Sequence, residues 1–170
     1  MTALENANPA NPANPAIHAT AVSIGGVGVI ITGPSGSGKS DLAIRLIDRG
    51  AVLIADDYVY IDPSAAGPIL RCPANITGKI ELRGVGIIER PFAQGIVAQM
   101  HIALGAEGER MPVDMPKQPV GNIILPTLAM DAFHSSSPIK AEISAASLQA
   151  HLDPPAAMVA MDSANVKARP

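Results

Sequence analysis

The chain has 170 residues, 48% of them hydrophobic but only 2% aromatic, with no tryptophan. That length suits one domain with a real core, which Val, Ile, Leu, Ala and Met must build. The balance of 12 Lys and Arg against 15 Asp and Glu gives a net charge of −3, which argues against a nucleic-acid-binding surface, since such surfaces are normally basic.

Cys72 is the single cysteine, so no internal disulfide forms, and the residue reads as a small buried apolar group in a reducing compartment. No basic residue precedes an apolar core at the N-terminus, so it is not a secretory signal. The longest uncharged stretch, Ala19 to Lys39, is broken by glycines and falls short of a membrane span. A cytoplasmic protein with no membrane partner is expected.

In chain order, Asn6 to Ala16 repeats Asn-Pro-Ala and offers nothing apolar to bury, so residues 1–16 read as a disordered Pro-rich lead. Ile17 to Ile24 and Val27 to Thr32 read as strands joined by a hairpin at Gly25-Gly26. Asp41 to Arg49 reads as a helix with Leu42, Leu46 and Ile47 on one face and Gly50 as its stop. Ala51 to Asp56 is a continuous apolar run suited to a buried strand. The alternating segment "YVYID" follows, then a Pro/Gly turn, a short strand near Ile69 and the segment "GKIELRGVGII" from Gly78. Gly95 to Leu104 and Val120 to Met130 read as further strands. Pro138 to Leu152 reads as a helix, with Ser137 as a possible cap and Pro138 in its first turn. Residues 153–170, rich in Pro and Ala, read as a flexible tail. Many strands and few helices predict a mixed α/β domain over residues 17–152 rather than a regular doubly wound sheet.

Two features carry chemistry. Gly33, Pro34, Ser35, Gly36, Ser37, Gly38, Lys39 and Ser40 form a G-x4-G-K-S loop between a strand and an amphipathic helix. Glycines reach backbone conformations closed to other residues, so successive N–H groups can turn inward as an anion cradle. The helix adds its positive end, Lys39 can neutralise outer phosphates, and the Ser40 hydroxyl can hold Mg²⁺. Four fixed positions match by chance on the order of one time in a hundred in a chain this size. The second feature is Asp56-Asp57 at the end of the next apolar strand. In an extended chain the two side chains point in opposite directions, so one can face the phosphates. A carboxylate there can accept a proton from a substrate hydroxyl. Asp57 is placed ahead of Asp56, and a solvated turn pair is the plainer alternative.

The segment "GKIELRGVGIIER" packs Glu81, Arg83, Gly84 and Gly86 into an apolar stretch, which alone could be an ordinary strand and turn. Together, "HATAVSIGGVGVIITGPSGSGKSDLAIRLIDRGAVLIADD" and "IELRGVGII" closely resemble HPr kinase/phosphorylase over about Ile17 to Arg90. That family phosphorylates a serine of the phosphocarrier protein HPr with ATP and also removes the phosphate by phosphorolysis. The resemblance implies an α/β phosphate-loop domain with a strand-rich mixed sheet, related to phosphoenolpyruvate carboxykinase. It implies ATP held by Gly33 to Ser40, with Lys39 on the outer phosphates and Mg²⁺ on Ser40 and Glu81. It makes Asp57 the proton acceptor from the HPr serine and puts His18 beside the catalytic centre. Read from the residues alone, His18 is a polar strand-edge residue. Hexamers are implied by the family, so a homo-oligomer is expected.

This sequence also departs from the family pattern. Ala19 stands where the family has glycine, and "KQPVGNIILPTLAM" lacks the arginine that the family carries in an R-P-G-R-N context. The chain resembles the short, catalytic-domain form found in alphaproteobacteria. Two other readings stay open on the residues: a phosphate-loop kinase of a small metabolite, and a nucleotide-sensing module without turnover.

Overall fold

The computed structural model describes residues 14–105, 108–110 and 114–152. Most of the expected lead and the whole expected tail lie outside the described residues. Within the lead, the Asn14 side-chain amide donates to the Ile61 carbonyl.

Gly25 and Gly26 both have positive φ, 57° and 92°, the backbone that a tight two-residue hairpin requires. They join β2 (Thr20–Ile24) to β3 (Val27–Thr32) in antiparallel register, with Val22 opposite Val29. The single strand expected over Ile17 to Ile24 is two strands. β1 (Ile17–His18) pairs with β5 (Tyr58–Asp62), whereas β2 pairs with β3 and with β4 (Val52–Ala55). The break falls at Ala19, whose N–H donates to the Asp57 carbonyl (3.1 Å).

β6 (Ile69–Arg71) continues the sheet beyond β5, and β9 (Ile96–Leu104) joins it to β3. β9 is long enough to be shared. Its start pairs with β6 antiparallel, its end pairs with β11 (Ile123–Met130) parallel, and β3 runs parallel to it along the other edge. β10 (Lys117–Val120) folds back on β11 through a turn at Gly121. The expected strand over Val120 to Met130 is therefore shorter and begins after that turn. Among the described residues the main sheet has nine strands, parallel and antiparallel mixed. This is the strand-rich mixed α/β architecture that the residue pattern predicts.

Alternation along β3 separates two cores. Val29 and Ile31 face α1 (Lys39–Asp48) and α2 (Ser137–Leu152), together with Leu42, Leu46, Leu53, Met100, Ile102, Ala141 and Ala145. Ile30 faces the opposite side with Ala21, Ile54, Val59, Ile61, Leu70 and Leu125. A strand buried on both faces reads as an unbroken apolar run, and each fully buried Ile or Leu contributes about 1.5–3 kcal/mol. Arg49, just past the end of α1, holds Glu142 of α2 through two bonds of 2.7 and 2.8 Å.

The segment "GKIELRGVGIIE" forms its own hairpin, β7 (Lys79–Leu82) and β8 (Gly86–Glu89). Ile80, Leu82 and Ile88 pack on the α1 side of the core, while Val85 and Ile87 are exposed.

Candidate functional site

β3 runs out of the sheet into the glycine-serine loop, and α1 starts two residues earlier than the apolar pattern alone suggests, at Lys39. The start is set by Gly38, which caps the helix in the left-handed region at φ 92°. A Cβ there would also stand 2.8 Å from the Ala132 Cβ and 3.1 Å from the Phe133 Cζ. Gly38 is thus required twice, by conformation and by space. Gly36, at φ 81°, faces open space.

Lys39 is buried, and its ammonium donates to the Gly33 carbonyl (3.1 Å) and the Pro34 carbonyl (3.2 Å). The lysine thereby folds back along the loop that precedes it. The Ser37 hydroxyl is buried without a hydrogen-bond partner among the described residues. Such a group is costly to leave unsatisfied. A loop with a buried ammonium, a helix N-terminus and an orphaned hydroxyl fits an anion with several acceptor oxygens.

The centre of the site is Asp56, which is 3% exposed. Its Oδ1 accepts from the Thr20 hydroxyl (2.7 Å) and the Ser40 hydroxyl (2.9 Å), and its Oδ2 accepts from the Glu81 backbone N–H (3.1 Å). One carboxylate therefore ties together β2, the first turn of α1 and the β7–β8 hairpin. β4, which leads into Asp56, is not the neighbour of β3; β2 lies between them. The contact is made because Ser40 sits where the helix begins, at the end of the sheet to which β4 also points.

Asp57 is on the other side of the turn. It is exposed, with φ 66° and the Tyr58 N–H donating to the Asp56 carbonyl (2.8 Å). The aspartate pair is thus not extended, yet the two side chains still part: Asp56 inward to Ser40, Asp57 to solvent. A non-glycine residue at positive φ is uncommon and such strain gathers at functional sites. His18 lies beside it. It pairs with Tyr58 across β1 and β5, ring centroids 5.8 Å apart, next to the Ala19–Asp57 backbone bond. The Glu81 backbone joins the site through Asp56, while the Glu81 side chain is exposed.

The Ser40 hydroxyl and the Asp56 carboxylate are hard oxygen donors side by side, which fits Mg²⁺, an ion usually held by one or two protein groups together with phosphate oxygens and water. Among the described residues no cluster of three or more His, Cys, Asp or Glu converges. An apolar groove of about 380 Å³ lies between the Gly25 turn and Glu142, Ala145 and Gln149 of α2. That is at the opposite end of β3 from the loop.

Three further participants carry no sequence signal. Thr20 is an ordinary strand threonine until the fold brings it to Asp56. His101 on β9 is buried between two threonines, its Nδ1 3.0 Å from the Thr127 Oγ1 and its Nε2 2.7 Å from the Thr32 Oγ1. The Thr127 hydroxyl donates to the Leu125 carbonyl (3.0 Å), so it must accept from Nδ1–H, leaving Nε2 to accept from Thr32. Burial holds this imidazole neutral and pushes its pKa down to about 4. Thr32 immediately precedes Gly33, so the chain of bonds ends at the root of the loop. Phe133, in the loop after β11, stands against Gly38.

Residues 12–105 match the model of the HPr Serine kinase C-terminal domain. The chain is 44% identical over 80 residues to the HPr kinase/phosphorylase of Clostridium acetobutylicum, covering 47% of this chain and 26% of that protein. It is 43% identical over 74 residues to the HPr kinase/phosphorylase of Bordetella pertussis, covering 43% of this chain and 24% of that protein. The matched region spans about a quarter of the length of these curated relatives. Among solved structures, the Hpr(Ser) kinase/phosphatase from Coxiella burnetii superposes with a TM-score of 0.67 at 25% identity, covering 81% of this chain and 92% of that one.

Proposed function

The chain belongs to the family of the HPr serine kinase C-terminal domain, and from that premise we propose that it is an ATP-dependent protein serine kinase acting on an HPr-type phosphocarrier protein. The observation that carries the reading is the Asp56 carboxylate, which joins the Ser40 hydroxyl of the loop to the β7–β8 hairpin. That hairpin holds the Glu-x-Arg-Gly-x-Gly segment, so the junction brings the two segments that carry the family resemblance into one site. In this reading the domain is a phosphate-loop fold related to phosphoenolpyruvate carboxykinase, located in the cytoplasm and assembled as a homo-oligomer, with the family's hexamer as the expected form.

The loop from Gly33 to Ser40 holds the nucleotide phosphates, and Lys39 neutralises charge that grows on the transferred group. Ser40, with Asp56 behind it and Glu81 nearby, supplies oxygens for Mg²⁺, which when bound would screen the phosphate charge. Asp57, exposed at its turn, takes the proton from the incoming serine hydroxyl. The serine oxygen bonds to the terminal phosphorus as its bond to the bridging oxygen breaks and ADP leaves. His18, beside Asp57, stabilises phosphate charge there. In phosphorolysis, an oxygen of inorganic phosphate bonds to the phosphoserine phosphorus as its bond to the serine oxygen breaks, Asp57 gives the proton to that serine oxygen, and pyrophosphate leaves.

The test is transfer of labelled phosphate from ATP to purified HPr, with Asp57→Asn as the control. Transfer by the native protein and a loss on the order of 10²–10⁴-fold in the variant are expected, the usual weight of a general base. Full activity in Asp57→Asn removes that residue from the role. ATP binding with no transfer to any serine protein points instead to a nucleotide-sensing module.

A further inference from the structure

Phe133 is 64% exposed in a chain with only two phenylalanines. Its exposure is not that of a loose surface residue. The loop that carries it, residues 131–136, is tied at every turn. The Phe133 N–H donates to the Asp131 Oδ1 (2.9 Å), the Ser137 hydroxyl donates to the Asp131 carbonyl (2.5 Å), and the Ser137 N–H donates to the His134 carbonyl (3.0 Å). Arg45 of α1 donates to the Ala132 and His134 carbonyls while paired with Asp41 (2.8 Å). The loop is thus clamped to the helix that begins at the phosphate loop.

The clamp delivers the ring to one place. Its edge atoms Cζ and Cε1 would lie 3.1 and 3.2 Å from a Cβ at Gly38, so the ring touches the last glycine before Lys39. An aromatic surface fixed at the mouth of an anion cradle, with most of its area in solvent, is the arrangement that stacks a nucleobase. Stacking needs a π face and little else, so it accepts any base. Because the loop is already ordered, little conformational freedom is lost on binding.

We infer that Phe133 is the stacking platform for the base of the nucleotide whose phosphates occupy the Gly33–Ser40 loop. The inference rests on the nucleotide reading given above and adds the base subsite to it. The side chain makes affinity rather than chemistry, so it bears on nucleotide binding and leaves phosphoryl recognition to the loop.

The experiment compares ATP with inorganic tripolyphosphate, which has the phosphates and no base, by calorimetry on the full chain. Phe133→Ala is expected to weaken ATP roughly 5- to 100-fold, the range for loss of one stacked base, with tripolyphosphate affinity unchanged. Lys39→Ala should weaken both ligands. Phe133→Trp should keep ATP affinity. As the chain has no other tryptophan, its fluorescence should fall on adding ATP and stay constant on adding tripolyphosphate. Equal ATP affinity in native protein and Phe133→Ala overturns the inference. A parallel loss of both ligands also overturns it, since Phe133 would then be a prop for Gly38. If the native protein binds neither ligand, the nucleotide reading itself fails and the base subsite falls with it; binding of tripolyphosphate with no effect at Phe133 leaves the loop standing and removes only the platform.

Discussion

Replacing His101 with glutamine should flatten the acid limb of the stability curve. In the folded protein the imidazole is 4% exposed and takes its proton only at about pH 4, because burial opposes the charged form. In the unfolded chain it titrates near its ordinary value of 6.5. Between those two values the unfolded state binds more protons than the folded one, so stability rises with pH across that window. The contribution is fully present above pH 6.5 and is lost as the pH falls toward 4. At pH 4.5 the gap corresponds to about 2.5 kcal/mol, and to about 3 kcal/mol when complete. The second proton would also change the bond that Nε2 makes. Nδ1–H already donates to Thr127, and Nε2 is the acceptor for Thr32, so protonation requires the Thr32 hydroxyl to turn from donor to acceptor at the root of the loop. The assay is urea unfolding of native protein and His101→Gln at pH 7, 6, 5 and 4.5. The native protein should lose about 2.5 kcal/mol relative to the variant by the last point. A constant difference between the two across the series would refute the burial argument.

Two other positions give independent checks. Gly38→Ala must place a Cβ at φ 92° and 2.8 Å from the Ala132 Cβ, whereas Gly36→Ala, at φ 81°, meets open space. Thermal melting should show Gly38→Ala the less stable by about 1–3 kcal/mol, and equal melting temperatures would contradict the packing described at the loop. Burial pushes the Cys72 thiol up to about 11, so at pH 8 its reaction with an aromatic disulfide should run roughly a hundredfold slower than in the urea-unfolded chain. Equal rates in the two states would show that the thiol is not shielded.

The local elements were largely legible in the residues. Gly25-Gly26 announced a hairpin because only such residues take two successive positive φ values cheaply. The continuous apolar run from Ala51 to Asp56 announced a buried strand, whose Leu53 and Ile54 enter the two cores, and the G-x4-G-K-S spacing announced a loop between a strand and a helix. These depend on short-range sterics and periodicity, which a linear chain displays directly. The boundaries that failed were set from outside: Ile17 to Ile24 is cut at Ala19 because its first part pairs with β5 and its second with β3, and Val120 to Met130 is cut by the turn at Gly121. Asp57 is placed ahead of Asp56 as proton acceptor, a role that stands as a proposal; the side chain that bonds Ser40 is Asp56. That outcome depends on a turn at positive φ and on which face of the site β4 meets, neither of which the pair of letters Asp-Asp encodes. Thr20, His101 and Phe133 come from three distant segments and have no motif to mark them. So the sequence by itself determined the strands, the loop and the family resemblance, because those follow from neighbours along the chain. The tertiary structure alone decided which carboxylate faces the loop and which aromatic stands over it, because those follow from groups 16 to about 95 residues apart being packed into one place.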